Sequence, residues 1–311
     1  MKISFITTVF NEEATVEALL ESIIRQSRMP DEVIIVDGGS TDATASIISN
    51  FTKTFTSEES KSLLRHHPRW KTITKKGNRA VGRNEAIRQA SGDVIVSSDA
   101  GCVLDKDWVK NITEPFKNKD VDVVAGYYKG MPRTIFQKCL VPYVLVMPDK
   151  VDPQNFLPAS RSMAFTKKIW EKAGGFPEKY SSNEDFVFAK RLKEISAKIV
   201  FAKDAILYWM PRKNLKEAFA MFFRFAYGDA QAGILRPKVF LIFLRYFLGV
   251  LLLLSYINAF YVVVILYTVW SIWKNYRYAK KWQAIFILPI LQIVSDMAVL
   301  LGTIWGIQNK R

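Results

Sequence analysis

The sequence predicts an α/β architecture, a mainly parallel sheet sandwiched by helices, followed by C-terminal transmembrane helices. Three features point there. Short β-rich runs alternate with helical patterns over residues 1–238, acids and turn residues stand where those runs end, and residues 239–307 are almost continuously apolar. Strands alternating with helices at this spacing imply parallel neighbours covered on both faces.

Residues 2–8 (KISFITT) form the first strand-like run. Asn11 is placed to cap the next helix, with Glu12 and Glu13 favourable in its first turn. Val16, Leu19, Leu20, Ile23 and Ile24 then recur at helical spacing. Residues 33–36 read as a buried strand ending at Asp37-Gly38-Gly39-Ser40, and residues 41–51 resume as helix. Residues 83–90 are helical and stop at Ser91-Gly92, which fits a C-terminal glycine. Residues 93–98 are the next strand and run into Asp99; residues 108–116 read as helix and 121–127 as strand. Ligands of such sheets bind beyond the carboxyl ends of the strands. Thr8, Asp37 and Asp99 all fall at such ends.

The chain has 311 residues with 44 Lys and Arg against 29 Asp and Glu, a formal net charge of +15 that suggests an anionic partner. A hydrophobic content of 50% excludes disorder, and only two cysteines, Cys102 and Cys139, exclude a disulfide framework.

The first ten residues are too short an apolar run for a signal peptide, so the chain is expected to start in the cytoplasm. Residues 239–273 carry Arg245 as their only charge. A helix crosses a bilayer in about 20 residues, so the stretch reads as two spans in a tight hairpin breaking near residues 255–258. A basic, aromatic-edged loop follows at 274–282, then a third apolar stretch at 284–307 containing Pro289 and Asp296. Basic loops stay cytoplasmic, which places this loop and residues 1–238 in one compartment and predicts a multi-pass cell-membrane protein with three spans. Asp296 reads either as a functional intramembrane acid or as a helix–helix hydrogen-bonding group. Residues 214–232 read as an amphipathic helix for the membrane surface, with Leu215, Ala218, Phe219, Phe222, Phe223 and Ala226 on one face; a core helix is the alternative. The expected division is 1–212, a catalytic domain; 213–238, an interfacial helix and linker; and 239–311, the membrane domain.

Several motifs in order carry a resemblance. They are Thr7-Thr8-Val9-Phe10-Asn11-Glu12, Val36-Asp37-Gly38-Gly39-Ser40-Thr41-Asp42, Gly82-Arg83-Asn84-Glu85-Ala86-Ile87, Ser91-Gly92-Asp93 with Asp99-Ala100-Gly101, Gly174-Gly175-Phe176, and Asn183-Glu184-Asp185. Over residues 3 to about 230 the chain resembles the family 2 inverting glycosyltransferases, whose fold is GT-A, a Rossmann-type arrangement. Its tail, with Tyr208-Trp209-Met210-Pro211-Arg212 and Arg224-Phe225-Ala226-Tyr227-Gly228, is similar to the membrane-attached bacterial and archaeal members.

The resemblance implies a nucleoside pocket from Thr8, Phe10, Asn11 and Glu12 after the first strand and Asp37 and Gly39 after the second. From the residues alone, Phe10 could equally be core and Gly38-Gly39 a plain turn. It further implies that Arg79, Arg83 and Asn84 sit on the nucleotide side, that Asp99 binds the donor and a divalent cation (Mg²⁺ or Mn²⁺), and that Arg224 reaches the diphosphate. The family's Asp-x-Asp reads Asp99-Ala100-Gly101 here, with Asp105 or a basic residue as a substitute for the missing acid. Cys102 is a poor ligand for such hard cations. Between Lys61 and Arg83 stand eight Lys or Arg and no acid; this basic run suits the diphosphate or a headgroup-facing surface, and no recognition motif for nucleic acid accompanies it.

Glu184 and Asp185 open a helix, where the dipole favours their charged forms. Simple capping is the bland reading of that pair; by resemblance it is the acceptor-side acid motif, with Asp185 as the base. A processive member's Gln-x-x-Arg-Trp survives only as Arg224 and an aromatic, which disfavours polymer synthesis. The function implied is non-processive transfer of a sugar from a UDP- or GDP-linked donor to a lipid-linked acceptor at the cytoplasmic membrane face, in cell-envelope polysaccharide or glycolipid synthesis. Two other readings are transfer to a polyprenyl phosphate and a non-catalytic membrane scaffold. His66 and His67, adjacent in a polar stretch, read as surface residues.

Overall fold

The computed structural model describes residues 1–56, 67–234 and 236–309. Two compact units emerge: Met1–Lys129 with Lys150–Met210, and Gly130–Asp149 with Pro211–Arg311.

The first unit is built on an eight-stranded sheet in the order β3-β2-β1-β4-β7-β6-β8-β5. Strands β1 (Ile3–Val9), β2 (Glu32–Asp37), β3 (Arg69–Thr74) and β4 (Val94–Ser97) pair in parallel. Every residue of β2 and β4 is buried, as expected of central strands covered on both faces. The edge strand β3 buries none of its residues and carries Arg69 and Lys71, which protect an open edge. The other half departs from the mainly parallel expectation. β7 (Met163–Thr166) runs antiparallel to both β4 and β6 (Val123–Gly130), and β5 (Cys102–Leu104) antiparallel to β8 (Ile199–Trp209), so the sheet is mixed. Strand–helix alternation is diluted after residue 100, where β5 and β7 have only three and four residues and their pairing is non-local.

Helices α1 (Val16–Ile24), α2 (Thr44–Thr56), α3 (Arg79–Gln89) and α4 (Trp108–Thr113) follow the early strands; α6 (Lys167–Lys172) and α7 (Glu184–Glu194) come later, after α5 (Ile135–Val144) of the second unit. The main core joins Ile6, Ile34 and Ile95 of the parallel strands to Phe165, Phe176 and Phe188. Two local expectations are corrected. Helix α1 begins at Val16 behind Thr15, and Asn11 instead adopts φ +54° and joins the two strand-end loops. Its N–H donates to Ser40 Oγ at 3.0 Å and its Oδ1 accepts from Thr41 N at 2.9 Å. Gly92 does not terminate a helix in the left-handed region; α3 ends at Ala90, φ −72° and ψ 136°. Glycine is required at 92 because a Cβ there would stand 2.5 Å from Ser4 Oγ.

The second unit holds α5, then α8 (Leu215–Gln231), α9 (Pro237–Ser255), α10 (Ile257–Ala279) and α11 (Ala284–Gln308). The last three are each long and apolar enough to cross a membrane. The hairpin breaks at Tyr256, inside the expected window. The expected basic loop is mostly helix: α10 continues to Ala279, and Arg277 pairs with Asp149 at 2.5 Å. No side chain of α9 is buried, so this apolar helix has its favourable environment in lipid rather than water. Helix α8 is not simply a surface helix. Cβ atoms at Gly302 and Gly306 would stand 2.5 Å from Phe223 O and 2.6 Å from Tyr227 O, so α8 packs backbone-close against α11 through small residues. Asp296, with a side chain 3% exposed, accepts from Arg245 Nη2 at 2.5 Å, from the Tyr267 hydroxyl and from Gln292 Nε2 at 3.0 Å. Of its two expected roles, helix–helix hydrogen bonding is the one its contacts fulfil.

Candidate active site

The carboxyl ends of β1 and β2 are laced together. Asp37 is 4% exposed, and its Oδ1 accepts from Gly39 N at 3.0 Å, Ser40 N at 2.8 Å and Ser40 Oγ at 2.7 Å. Gly39 at φ +97° permits that turn. Glu12 N–H donates to Thr44 Oγ1 at 2.7 Å, and the Glu12 carboxylate accepts from Thr15 Oγ1. Phe10 is 59% exposed at the tip of β1, which removes the core alternative and leaves an aromatic face open to a flat ligand. Thr8, paired with Val36, sits one step inside. Gly82 lets α3 lie against it, since a Cβ there would be 2.7 Å from Thr8 Cγ2.

Helix α3, capped by the Asn78 side chain on Val81 N, delivers the charged centre. Arg83 is 2% exposed; its Nη2 donates to Asp99 Oδ1 at 2.8 Å and its Nη1 to Glu184 Oε1 at 2.5 Å. One guanidinium thus joins the end of β4 to the start of α7. Burial works against the Asp99 carboxylate, but Arg83 first, then Arg161 and Arg79, hold its pKa below the ordinary value. Burial likewise opposes the Arg83 charge, and Asp99, Glu184 and Asp185 outweigh it, raising its pKa. Asp185, half-buried beside Glu184, accepts from Ser160 N and Ser160 Oγ, both at 3.3 Å, on Oδ2.

Three expected residues are engaged by partners inside the protein or lie outside this unit. Glu184 is 3% exposed, and its carboxylate is engaged by Arg83. Asn84 is 4% exposed with all four hydrogen-bonding positions used inside the protein. Its Nδ2 donates to Phe176 O and Glu178 Oε1, both at 2.8 Å, and its Oδ1 accepts from Phe176 N and Trp170 Nε1. Arg224 belongs to the second unit, on α8, where its Nε donates to Ala220 O. Arg79 is exposed at the start of α3. His67 is half-buried, and His66 lies outside the described residues, as do Lys61 and Arg65 of the basic run.

A divalent cation needs oxygen ligands. Asp99 offers one carboxylate, already bound by Arg83, and position 101 is a glycine surrounded by open space. Asp105 follows β5 and takes the Asp107 N–H and the Tyr208 hydroxyl. Cys102 is buried, and burial pushes its thiol up to about 12. Among the described residues no three His, Cys, Asp or Glu side chains gather as a metal-holding group. The donor set does not fit a resident metal.

The residue that sequence reasoning missed is Arg161. It precedes β7, with its guanidinium 5.2 Å from the Tyr128 ring centre and 5.9 Å from that of Trp209. Its only local signal was a lone cation, Ser160-Arg161-Ser162, at the threshold of an apolar strand.

Residues 4–145 match the model of glycosyl transferase family 2. Poly-beta-1,6-N-acetyl-D-glucosamine synthase of Staphylococcus epidermidis is 32% identical over 125 residues, 40% of this chain, but the match spans only 28% of that relative. The O-antigen chain rhamnosyltransferase RfbN of Salmonella typhimurium is 22% identical over 72% of this chain and 71% of its own. Among solved structures, the mannosyltransferase PcManGT from Pyrobaculum calidifontis, in complex with GDP-Man and Mn²⁺, superposes with a TM-score of 0.69 at 17% identity, over 98% of this chain and 87% of that one. Residues 4–145 thus match the glycosyl transferase family 2 model, and the chain has an α/β fold like that of the solved mannosyltransferase.

Proposed function

We propose that the protein is an inverting glycosyltransferase that moves one sugar from a nucleoside-diphosphate donor to a lipid-linked acceptor at the cytoplasmic face of a membrane. The observation that carries this reading is the Asp99–Arg83–Glu184 chain, which draws the end of β4 and the start of α7 together and brings Asp185 beside the same guanidinium. Donor-side and acceptor-side acids thereby share one centre.

The roles follow from position. Phe10 offers its ring to the base, with Asp37 and its turn behind it. As the bond from the anomeric carbon to the diphosphate oxygen breaks, its electron pair leaves with that oxygen, and the arginines around Asp99 meet the growing negative charge. The acceptor hydroxyl oxygen forms the new bond from the opposite face while its proton passes to the Asp185 carboxylate. A single in-line displacement inverts the anomeric configuration. Three apolar helices in the same chain make a membrane-anchored substrate the acceptor class of choice.

The test is full-length protein in detergent with UDP- and GDP-sugars and polyprenyl-linked acceptors. The expected result is transfer from one donor, with the product's anomeric configuration inverted by NMR. Failure to bind any nucleotide, or a retained configuration, overturns the proposal.

A further inference from the structure

Arg83 is committed to two carboxylates, whereas Arg161 is not. Its Nη1 is buried and makes no hydrogen bond, and among the described residues no ion pair engages its guanidinium. Two aromatic rings, Tyr128 and Trp209, hold it in place instead. Its location follows from strand register. β4 and β7 pair with Ser97 opposite Met163, so two residues further along the same antiparallel register Arg161 comes opposite Asp99. A fixed, desolvated guanidinium with an unused donor is an unfavourable arrangement until an anion completes it. The position where the family pattern has its second acid is Gly101, and a Cβ there would meet nothing within 4 Å. The rim at Asp99 thus lacks the second acid of the family pattern, and beside it stands a guanidinium with an unused donor, its charge favoured by Asp99 and Asp185.

We propose that Arg161 binds the donor's diphosphate and, with Arg83 held behind Asp99, supplies the positive charge that would otherwise come from a divalent cation, so that donor binding needs no added metal. This rests on the glycosyltransferase reading above. The planar Arg fork matches two phosphate oxygens at once. The step needs no other reactant: the electron pair of the breaking bond stays on the diphosphate oxygen, which the Arg161 N–H groups stabilise as its charge grows.

The experiment measures UDP, GDP, uridine and guanosine binding by calorimetry with full-length protein in detergent, in EDTA and then in Mn²⁺ or Mg²⁺. For the diphosphate that binds, Kd in EDTA is expected within about threefold of its value in Mn²⁺. Arg161→Gln should weaken diphosphate binding by about tenfold or more while changing nucleoside binding by less than about threefold, with Arg161→Lys between. Thermal melting checks that each variant folds, and the EDTA comparison on the unmodified protein stands whether or not they do. Binding that vanishes in EDTA and returns with Mn²⁺, or an Arg161→Gln protein with unchanged diphosphate affinity, overturns the inference while leaving the transferase reading intact. No binding of either diphosphate under any condition removes both.

Discussion

Arg83 Nη1 lies 2.5 Å from Glu184 Oε1, with the two side chains 2% and 4% exposed. Breaking a buried pair by removing one partner costs up to about 3–5 kcal/mol, and here Arg83 keeps its second carboxylate, Asp99. Glu184→Ala should therefore lower the melting temperature by roughly 10 °C. Glu184→Gln, which keeps an oxygen for the guanidinium, should cost less. Thermal unfolding of the detergent-purified proteins decides the matter: equal melting temperatures for all three would mean that the pair does not tie α7 to the sheet.

Asp185 touches the same centre from the half-buried side and is held by Ser160 rather than by an arginine hydrogen bond. With a hydroxyl acceptor, Asp185→Asn should reduce turnover by about 10²–10⁴-fold, the range of general-base catalysis, while donor affinity stays nearly unchanged. Steady-state transfer assays beside donor calorimetry separate the two effects. A mild loss of turnover would instead indicate an acceptor that arrives already ionised, such as a phosphate.

The parallel half of the fold was legible because β1, β2 and β4 are short β-rich runs with Thr8, Asp37 and Asp99 at or just beyond their ends, and each strand end is a local sequence event. The antiparallel half was not. β7 has four residues, and its register against β4 is settled by pairing across more than sixty residues. Arg161 owes its place to that register, so no local pattern announced it. Asn84 and Glu184 are both expected at the site, but their motif spacing does not reveal that Asn84 is consumed by Phe176 and Trp170, or that Glu184 is buried against Arg83. Partner choice among buried polar groups is a tertiary property.

Phe10 stands 59% exposed at the tip of β1, beside the Asp37 turn. Base–aromatic stacking contributes about 1–3 kcal/mol, so Phe10→Ala should weaken donor-nucleotide binding by about tenfold. Phe10→Tyr should preserve it. Because the ring supports no core, melting temperature should stay constant across the series. Calorimetry with the nucleotide and a parallel melt check both halves; an alanine variant that binds normally places the base elsewhere.

Asp99 provides the pH signature. Its pKa is depressed in the folded chain by Arg83, Arg161 and Arg79 against the opposing pull of burial. A depressed carboxyl stabilises the fold above its unfolded pKa of about 3.9, and that contribution disappears as pH falls through the folded value. The melting-temperature difference between the unmodified protein and Asp99→Asn should accordingly be constant from about pH 8 to pH 5 and close below about pH 4. Taking the difference cancels other acids, including Glu32, whose pKa is also lowered: burial pulls it up, and hydrogen bonds from Ser4 and Ser91 together with the Arg69 charge overcome that pull. A difference that instead closes between pH 6 and 8 would mean that Asp99 titrates near neutrality and is not held ionised by its arginines.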